Sequence, residues 1–352
     1  MGRTRSSCFV RSQQVERINS FSFDGEAVLT AGDGVGTGKI FHYIKGKCDI
    51  HQRVYRISDF RDDVSGYYFY LFFSTNFYNR IMQMTAKSSV DSVRREMIAR
   101  MLIALPPKAE QEAIAEALSD ADALIESLEA LIAKKRAIKQ GAMQDLLSGR
   151  KRLPGFSGEW VEKKIGELAD TDPENLSSAT APDFSFNYIA LEDVHEGTLV
   201  SYSERVFSSA PSRARRRLQG GDLLFGTVRP NLKTHYQFDT RSGEWVCSTG
   251  FCVIRCRQRK AEPSYIFNHL FADRVSKQID MLISGSNYPA VNSKDVAALT
   301  IPCPDYEEQA SISQALSEMQ EEIAILEAKL AKARQIKQGM MQELLTGRVR
   351  LV

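Results

Sequence analysis

The chain has 352 residues, with 46 Lys and Arg against 44 Asp and Glu, a formal net charge of +2 and 43% hydrophobic residues. A single hydrophobic core seldom grows to that length, so one undivided domain is excluded in favour of two or three, and the composition is that of a folded chain without low-complexity tracts. A net charge this small carries no argument for nucleic acid, which has to come from the distribution of charge instead.

In chain order, the opening segment Met1-Gly-Arg-Thr-Arg-Ser-Ser7 has no apolar signal core. The longest apolar run, Tyr67 to Phe73, is far too short to cross a bilayer, so a cytoplasmic chain without membrane segments is expected. Ala27 to Thr30 reads as a strand and leads into the glycine-rich run Ala31-Gly-Asp-Gly-Val-Gly-Thr-Gly-Lys39. A phosphate loop of the Walker type needs glycine where Asp33 stands and Ser or Thr where Ile40 stands, so the run is expected to be a tight turn that lets backbone approach closely. Arg53 to Ile57 reads as the next strand and Gly66 to Met84 as a helix.

Past Pro106-Pro107 the apolar residues step by four and three through Ile114, Leu118, Ala121, Ile125, Leu128 and Ile132, the seam of a coiled coil that Gly149 ends. Ile189 to Leu191, Asp222 to Phe225 and Phe251 to Arg255 then read as strands. One helix is expected from Ser264 to Ile283, with Ile266, Leu270, Val275, Ile279 and Leu282 on its apolar face. A second seam runs through Ile312, Leu316, Met319, Ile323, Leu326, Leu330 and Ala333 to a stop at Gly347. Pro304 and Asp305, with Glu308 three residues on, suit a capping box at its start. Each long helix spans about 38 residues, or roughly 57 Å.

These two seams are copies of one segment. Residues 103 to 153 align without a gap to 301 to 351 at a constant offset of 198, with 27 of 51 positions identical. Ile138-Lys-Gln-Gly-Ala-Met-Gln-Asp-Leu-Leu-Ser-Gly-Arg150 answers to Ile336-Lys-Gln-Gly-Met-Met-Gln-Glu-Leu-Leu-Thr-Gly-Arg348, and Glu110-Gln111 to Glu308-Gln309. The expected fold is mixed α/β (α+β): two globular heads separated by two long helices that pair as an antiparallel coiled coil, with an internal pseudo-two-fold repeat. The boundaries are a first head over 1–102, a first helix over 103–153, a second head over 154–300 and a second helix over 301–352. At the constant offset Met1 falls opposite Leu199, so the first head is expected to be short at its N-terminus, lacking a counterpart to Leu153-Pro-Gly-Phe-Ser-Gly-Glu-Trp160. Near-identical rods point to identical partners, and diverged heads to different targets.

The modest net charge conceals a strong local asymmetry. From Arg205 to Lys260 twelve Lys and Arg stand against three acids, whereas from Glu162 to Glu204 ten acids stand against Lys163 and Lys164. The six cysteines include no C-x-x-C pair and read as reduced thiols, and the five histidines make no H-x-x-x-H pair. Neither a nuclease carboxylate cluster nor the Asn/Asp-Pro-Pro-aromatic loop of base amino-group methylation occurs, so neither a catalytic set nor a metal set is assigned. Basic residues interleaved with hydrogen-bonding groups are common instead, and Arg, Asn and Gln at such places can hold phosphates or read base edges. In the first head the candidates are Lys39, His51, Gln52, Arg53, Lys87, Ser88, Arg94 and Arg95. In the second they are Arg213, Arg215, Arg216, Arg217, Arg229, Asn231, Lys233, His235, Ser286, Asn287 and Tyr288.

Two heads alternating with two helices that open on P-x-x-x-E-Q and close on I-K-Q-G-x-M-Q-x-L-L-[ST]-G-[RK] closely resemble the specificity subunit of type I restriction-modification systems, over nearly the whole chain. The resemblance implies that each head is a target-recognition domain for one half of a bipartite double-stranded DNA sequence and that the helices set the gap. It further implies two modification subunits that methylate adenine with S-adenosylmethionine, and restriction subunits that use ATP and Mg, so this chain carries no cofactor and is not itself an enzyme. A coiled-coil scaffold for protein partners without DNA is the alternative, separable by the salt dependence of binding.

Overall fold

The computed structural model describes residues 6–84, 92–195, 197–239, 242–283 and 289–351. Of the sequence candidates, Lys87, Ser88, Ser286, Asn287 and Tyr288 lie outside the described residues. The chain divides into two compact units, Met1–Leu131 with Leu326–Val352, and Ile132–Ile325.

In the first unit, β1 (Ser6–Phe9), β2 (Glu16–Ile18), β3 (Phe23–Ala31), β4 (Phe41–Ile50) and β5 (Val54–Ser58) form one sheet in the order β2-β1-β4-β3-β5. Helix α1 (Gly66–Gln83) lays Phe73, Phe77 and Ile81 against Val28 and Phe41 of that sheet. Burying side chains of this size contributes ~1.5–3 kcal/mol each. Ser65 caps the helix, its side chain accepting the Tyr68 backbone N–H. The short α2 (Arg95–Ala99) and the long α3 (Lys108–Leu147) follow.

The second unit opens with β6 (Val161–Lys164), α4 (Ile165–Leu168) and β7 (Ala169–Thr171). Then come β8 (Ser185–Ile189), β9 (Val194–His195), β10 (Thr198–Leu199), β11 (Ser203–Val206), β12 (Ala214–Arg217), β13 (Leu223–Gly226), β14 (His235–Gln237), β15 (Trp245–Ser248) and β16 (Phe251–Cys256). Two four-stranded sheets result, β11-β8-β15-β12 and β14-β13-β16-β7. Helices α5 (Pro263–Phe271), α6 (Asp273–Ile283) and α7 (Ser293–Ala298) lead to β17 (Thr300–Cys303), which pairs antiparallel with β6, and to α8 (Tyr306–Leu344). The single helix expected over Ser264 to Ile283 is two, because Ala272 is extended (φ −73°, ψ 148°). The Lys233 ammonium donates to the Phe271 carbonyl at 3.1 Å, and Asp273 opens α6 with a carboxylate where the helix dipole favours one.

Both units show the long helices running antiparallel. In the first, the residue numbers of α8 rise as those of α3 fall, from Arg334–Glu129 to Lys337–Asp122. In the second, Lys135–Glu322 and Lys139–Gln320 keep the same sense. Ile114 and Leu118 of the expected seam are buried with Leu344 and Leu345 in the first unit, as Ile312 and Leu316 are with Leu146 and Leu147 in the second.

The duplicated Glu-Gln pairs explain why this motif is repeated. Glu110 receives Nε and Nη2 of Arg350 at 2.6 and 2.5 Å, and Glu308 receives the same two atoms of Arg152 at 2.5 and 2.6 Å. Each copy's glutamate is therefore held by the other copy's arginine. Asp305 caps α8 by accepting the Glu308 N–H, but the return half of the expected capping box is absent because Arg152 holds the Glu308 carboxylate.

Candidate nucleic-acid interface

A matched loop clamp recurs in the two units. In the first, Gly32 donates its N–H to the Arg53 carbonyl at 2.9 Å and accepts the Val93 N–H at 2.7 Å. A Cβ on Gly32 would sit 2.9 Å from the Arg53 oxygen, so glycine is required by close backbone approach. In the second, Thr227 donates its N–H to the Gly250 carbonyl and accepts the Val291 N–H, at 2.8 and 3.0 Å. Single β-bridges, Asp33 with Ser92 and Val228 with Ala290, complete each clamp. The loop between β3 and β4 is thus the counterpart of the loop between β13 and β14.

In the first unit the glycine run is a series of tight turns, as expected, with Thr37 donating to Gly34, and Lys39 and Ile40 both donating to Gly36. Gly34 and Gly38 hold φ of +87° and +69°. The clamp brings the Arg53 and Val93 backbones to the root of this loop, and Arg94 is the residue after Val93. His51, Asp33, Gly34 and Gly36 line a cleft of about 510 Å³ with Arg11. Exposed Arg53 approaches Asp33 at 3.5 Å, Gln52 is exposed beside it, and Lys39 lies 5.2 Å from the Tyr78 ring centroid at the far end of the loop. Arg94 and Arg95 are exposed at the start of α2.

In the second unit the loop carries Arg229, Asn231 and Lys233. Arg229 and Lys233 both adopt the left-handed region, at φ +49° and +51°, a strained arrangement for non-glycine residues. The Arg229 N–H donates to Pro289, which locks the backbone while its side chain stays exposed. Asn231 is exposed and Lys233 half-buried.

The Arg213 to Arg217 cluster is divided by the strand pleat, since alternate side chains leave opposite faces. Arg215 and Arg217 pack over Phe207 and Phe184, and Arg217 also pairs with Glu244 at 2.7 Å. Arg216 turns inward to Asp172 at 2.8 Å, while Arg213 is exposed. Asp172 also accepts the Val253 N–H and the Ser293 hydroxyl, so Arg216 is the counterion of a buried junction.

His235 is corrected from a surface candidate to a core residue. It is fully buried, stacked on Phe225 at 4.3 Å and edge-on to Phe271 at 5.4 Å. In the first unit Phe41 stands in the corresponding place, edge-on to Phe73 at 5.4 Å. Burial, with Lys233 nearby, pushes the His235 imidazole down to about 3, and burial pushes His269 down to about 3 as well.

Part of the charge asymmetry read along the chain is internal pairing. Arg255 holds Asp222 and Glu174, Arg257 holds Asp170, and Arg216 holds Asp172. Acidic residues of the 162–204 stretch therefore meet the basic stretch that follows. Sequence reasoning missed Arg11, whose Nη1 donates to Asp33 at 2.7 Å. No local pattern marks it, because the contact spans 22 residues.

Among the described residues no group of three His, Cys, Asp or Glu is placed to hold a metal, and no helix is long and apolar enough to cross a membrane. A family profile described as the type I restriction modification DNA specificity domain matches residues 2–135 and 157–335. The chain is 22% identical over 346 residues to the type I restriction enzyme EcoDI specificity subunit of Escherichia coli, covering 88% of this chain and 74% of the relative. It is 22% identical over 351 residues to the MjaVIII specificity subunit of Methanocaldococcus jannaschii, covering 92% and 79%. The solved S subunit of the type I restriction-modification system from M. genitalium has a similar fold, with a TM-score of 0.63 at 13% identity over 97% of this chain and 88% of that one. A chain from a structure on complex assembly and conformational transition of the type I R-M system gives 0.52 at 15% identity over 97% and 91%. With both of its repeats matched, the chain belongs to the type I restriction modification DNA specificity domain family.

Proposed function

We propose that the chain is the DNA-recognition subunit of a type I restriction-modification assembly, each unit reading one half of a bipartite target while the long helices set the gap. The observation that carries this reading is the duplicated clamp, which fixes a loop bearing exposed polar and basic side chains in each unit. Fixed backbone and free side chains suit base-edge and phosphate contacts, because little ordering is left to do on binding. Arg53, Gln52, Lys39 and Arg94 serve one half-site, and Arg213, Arg229 and Asn231 the other.

The chain is non-catalytic in this reading. Two modification subunits docked on the repeated helices methylate adenine with S-adenosylmethionine. Restriction subunits translocate and cleave with ATP and Mg. The assembly works in the cytoplasm.

Arg229→Gln tests the loop in the complex reconstituted with modification subunits. A base-reading role predicts that affinity for the cognate duplex falls by about 1–3 kcal/mol and that discrimination relaxes at one position. A phosphate role predicts uniform weakening across sequences and a salt slope shallower by about 1. Unchanged affinity, slope and selectivity would remove the loop from the interface.

A further inference from the structure

The clamped loops of the two units share a feature that neither phosphate contacts nor hydrogen bonds to bases account for. In the second unit the loop between β13 and β14 is locked along its backbone: Arg229 donates its N–H to Pro289 at 2.8 Å, Leu232 to Arg229 at 2.9 Å and Lys233 to Pro230 at 3.0 Å. The Lys233 ammonium is held by the Phe271 carbonyl. On this turn Leu232 is 60% exposed, beside exposed Asn231 and close in sequence to exposed Arg229.

In the first unit the loop between β3 and β4 is closed by Thr37, which donates both its N–H and its hydroxyl to the Gly34 carbonyl. Val35, inside that turn, is fully exposed and borders the cleft that Arg11 and His51 line. A lone exposed aliphatic residue is ordinary on a protein surface. These two differ in their place: each stands on a hydrogen-bonded turn of a clamped loop, among the polar and basic groups that face DNA in the reading above.

We propose that Leu232 and Val35 are specificity-determining residues, each contacting the C5 methyl group of a thymine in the major groove of its own half-site. A side chain of carbon and hydrogen has one match on the edge of a base pair, and that match is the thymine methyl. Because the backbone is already fixed, burying the methyl against it costs little ordering. Insertion between base pairs is the other use of an exposed aliphatic side chain on DNA. The short Val35 side chain does not reach between stacked bases, which favours the methyl contact. The inference rests on the DNA-recognition reading and adds to it the base that each loop tip selects.

The test replaces the thymines of the cognate duplex by uracil one at a time, which removes the methyl and leaves every hydrogen-bonding group in place. Anisotropy titrations of the complex reconstituted with modification subunits should show binding about fourfold weaker at one thymine in each half-site, the worth of one buried methyl. Leu232→Ala is expected to erase the effect in one half-site and leave it in the other, and Val35→Ala to do the reverse. Both side chains are exposed, so melting temperatures should not change. A duplex indifferent to uracil at every position overturns the proposal. So does sensitivity that survives both variants, or a loss of affinity in the variants that is equal on thymine and uracil duplexes, the mark of a wedge. Sequence-selective binding persists in each of those results and leaves DNA recognition standing; the absence of any selective binding removes that reading and this inference with it.

Discussion

Replacing Gln309 by leucine lowers the unfolding free energy of the Ile132–Ile325 unit by about 2–4 kcal/mol, because it strands buried backbone groups rather than merely removing a contact. Gln309 Nε2 donates to the Pro304 and Lys260 carbonyls at 3.0 and 3.3 Å, and its Oε1 accepts the N–H of Glu262, the residue that caps α5, at 3.0 Å. Leucine fills the space but leaves the Glu262 N–H and the Lys260 carbonyl without this partner, and the Pro304 carbonyl with the Cys303 thiol alone. The same clip operates in the first unit: Gln111 donates to Pro106 and Asp63 at 2.8 and 2.9 Å and accepts from Ser65, the cap of α1, at 2.9 Å. Gln111→Leu is therefore expected to destabilise that unit by a similar amount. Urea unfolding measures both, and a loss below about 0.5 kcal/mol in either would mean that water reaches the stranded groups.

The second large effect is acid lability of the Ile132–Ile325 unit. His235 and His269 are neutral in the fold, both held near 3, whereas an unfolded histidine titrates near about 6.5. The unfolded chain thus binds more protons between those values. The stability from neutral burial is fully present above about pH 6.5 and is lost as pH falls toward 3, by about 2 kcal/mol per histidine at pH 5. His235→Phe should remove its half of this loss, since Phe41 already fills the equivalent place against Phe73. The hydrogen bond from the Gly226 N–H to His235 is given up, but that N–H also donates to Thr234 at 2.8 Å. Melting temperatures between pH 7 and 5 decide the matter: equal acid sensitivity of the two proteins would show that His235 is not the group that titrates.

The parts of this molecule legible in its sequence are those governed by local periodicity or by the repeat. The steps of three and four residues gave the long helices, β-branched and aromatic runs gave β3 and β16, and the constant offset foreshadowed the reciprocal Arg–Glu forks. The α5–α6 break escaped because Ala272 has no breaker chemistry, and part of what holds it is Lys233, 38 residues from Phe271. The charge asymmetry misled for the same reason, since Arg255–Glu174 joins residues 81 apart that a running count treats as separate fields. His235 looked like one more polar group in a basic stretch, and only the Phe41 counterpart reveals an aromatic wedge. Among the candidate contacts, the clamp at Gly32 and Thr227 was invisible because the two heads align there at an offset of 195, shifted by loop insertions from the offset of the helices.

The most direct test of the central claim is to footprint the complex with its modification subunits on randomised duplex DNA and sequence the bound fraction. Two short protected blocks at one fixed spacing are the predicted result, each block altered only by changes in the loop of one unit. Bound DNA with no enriched sequence would contradict the account.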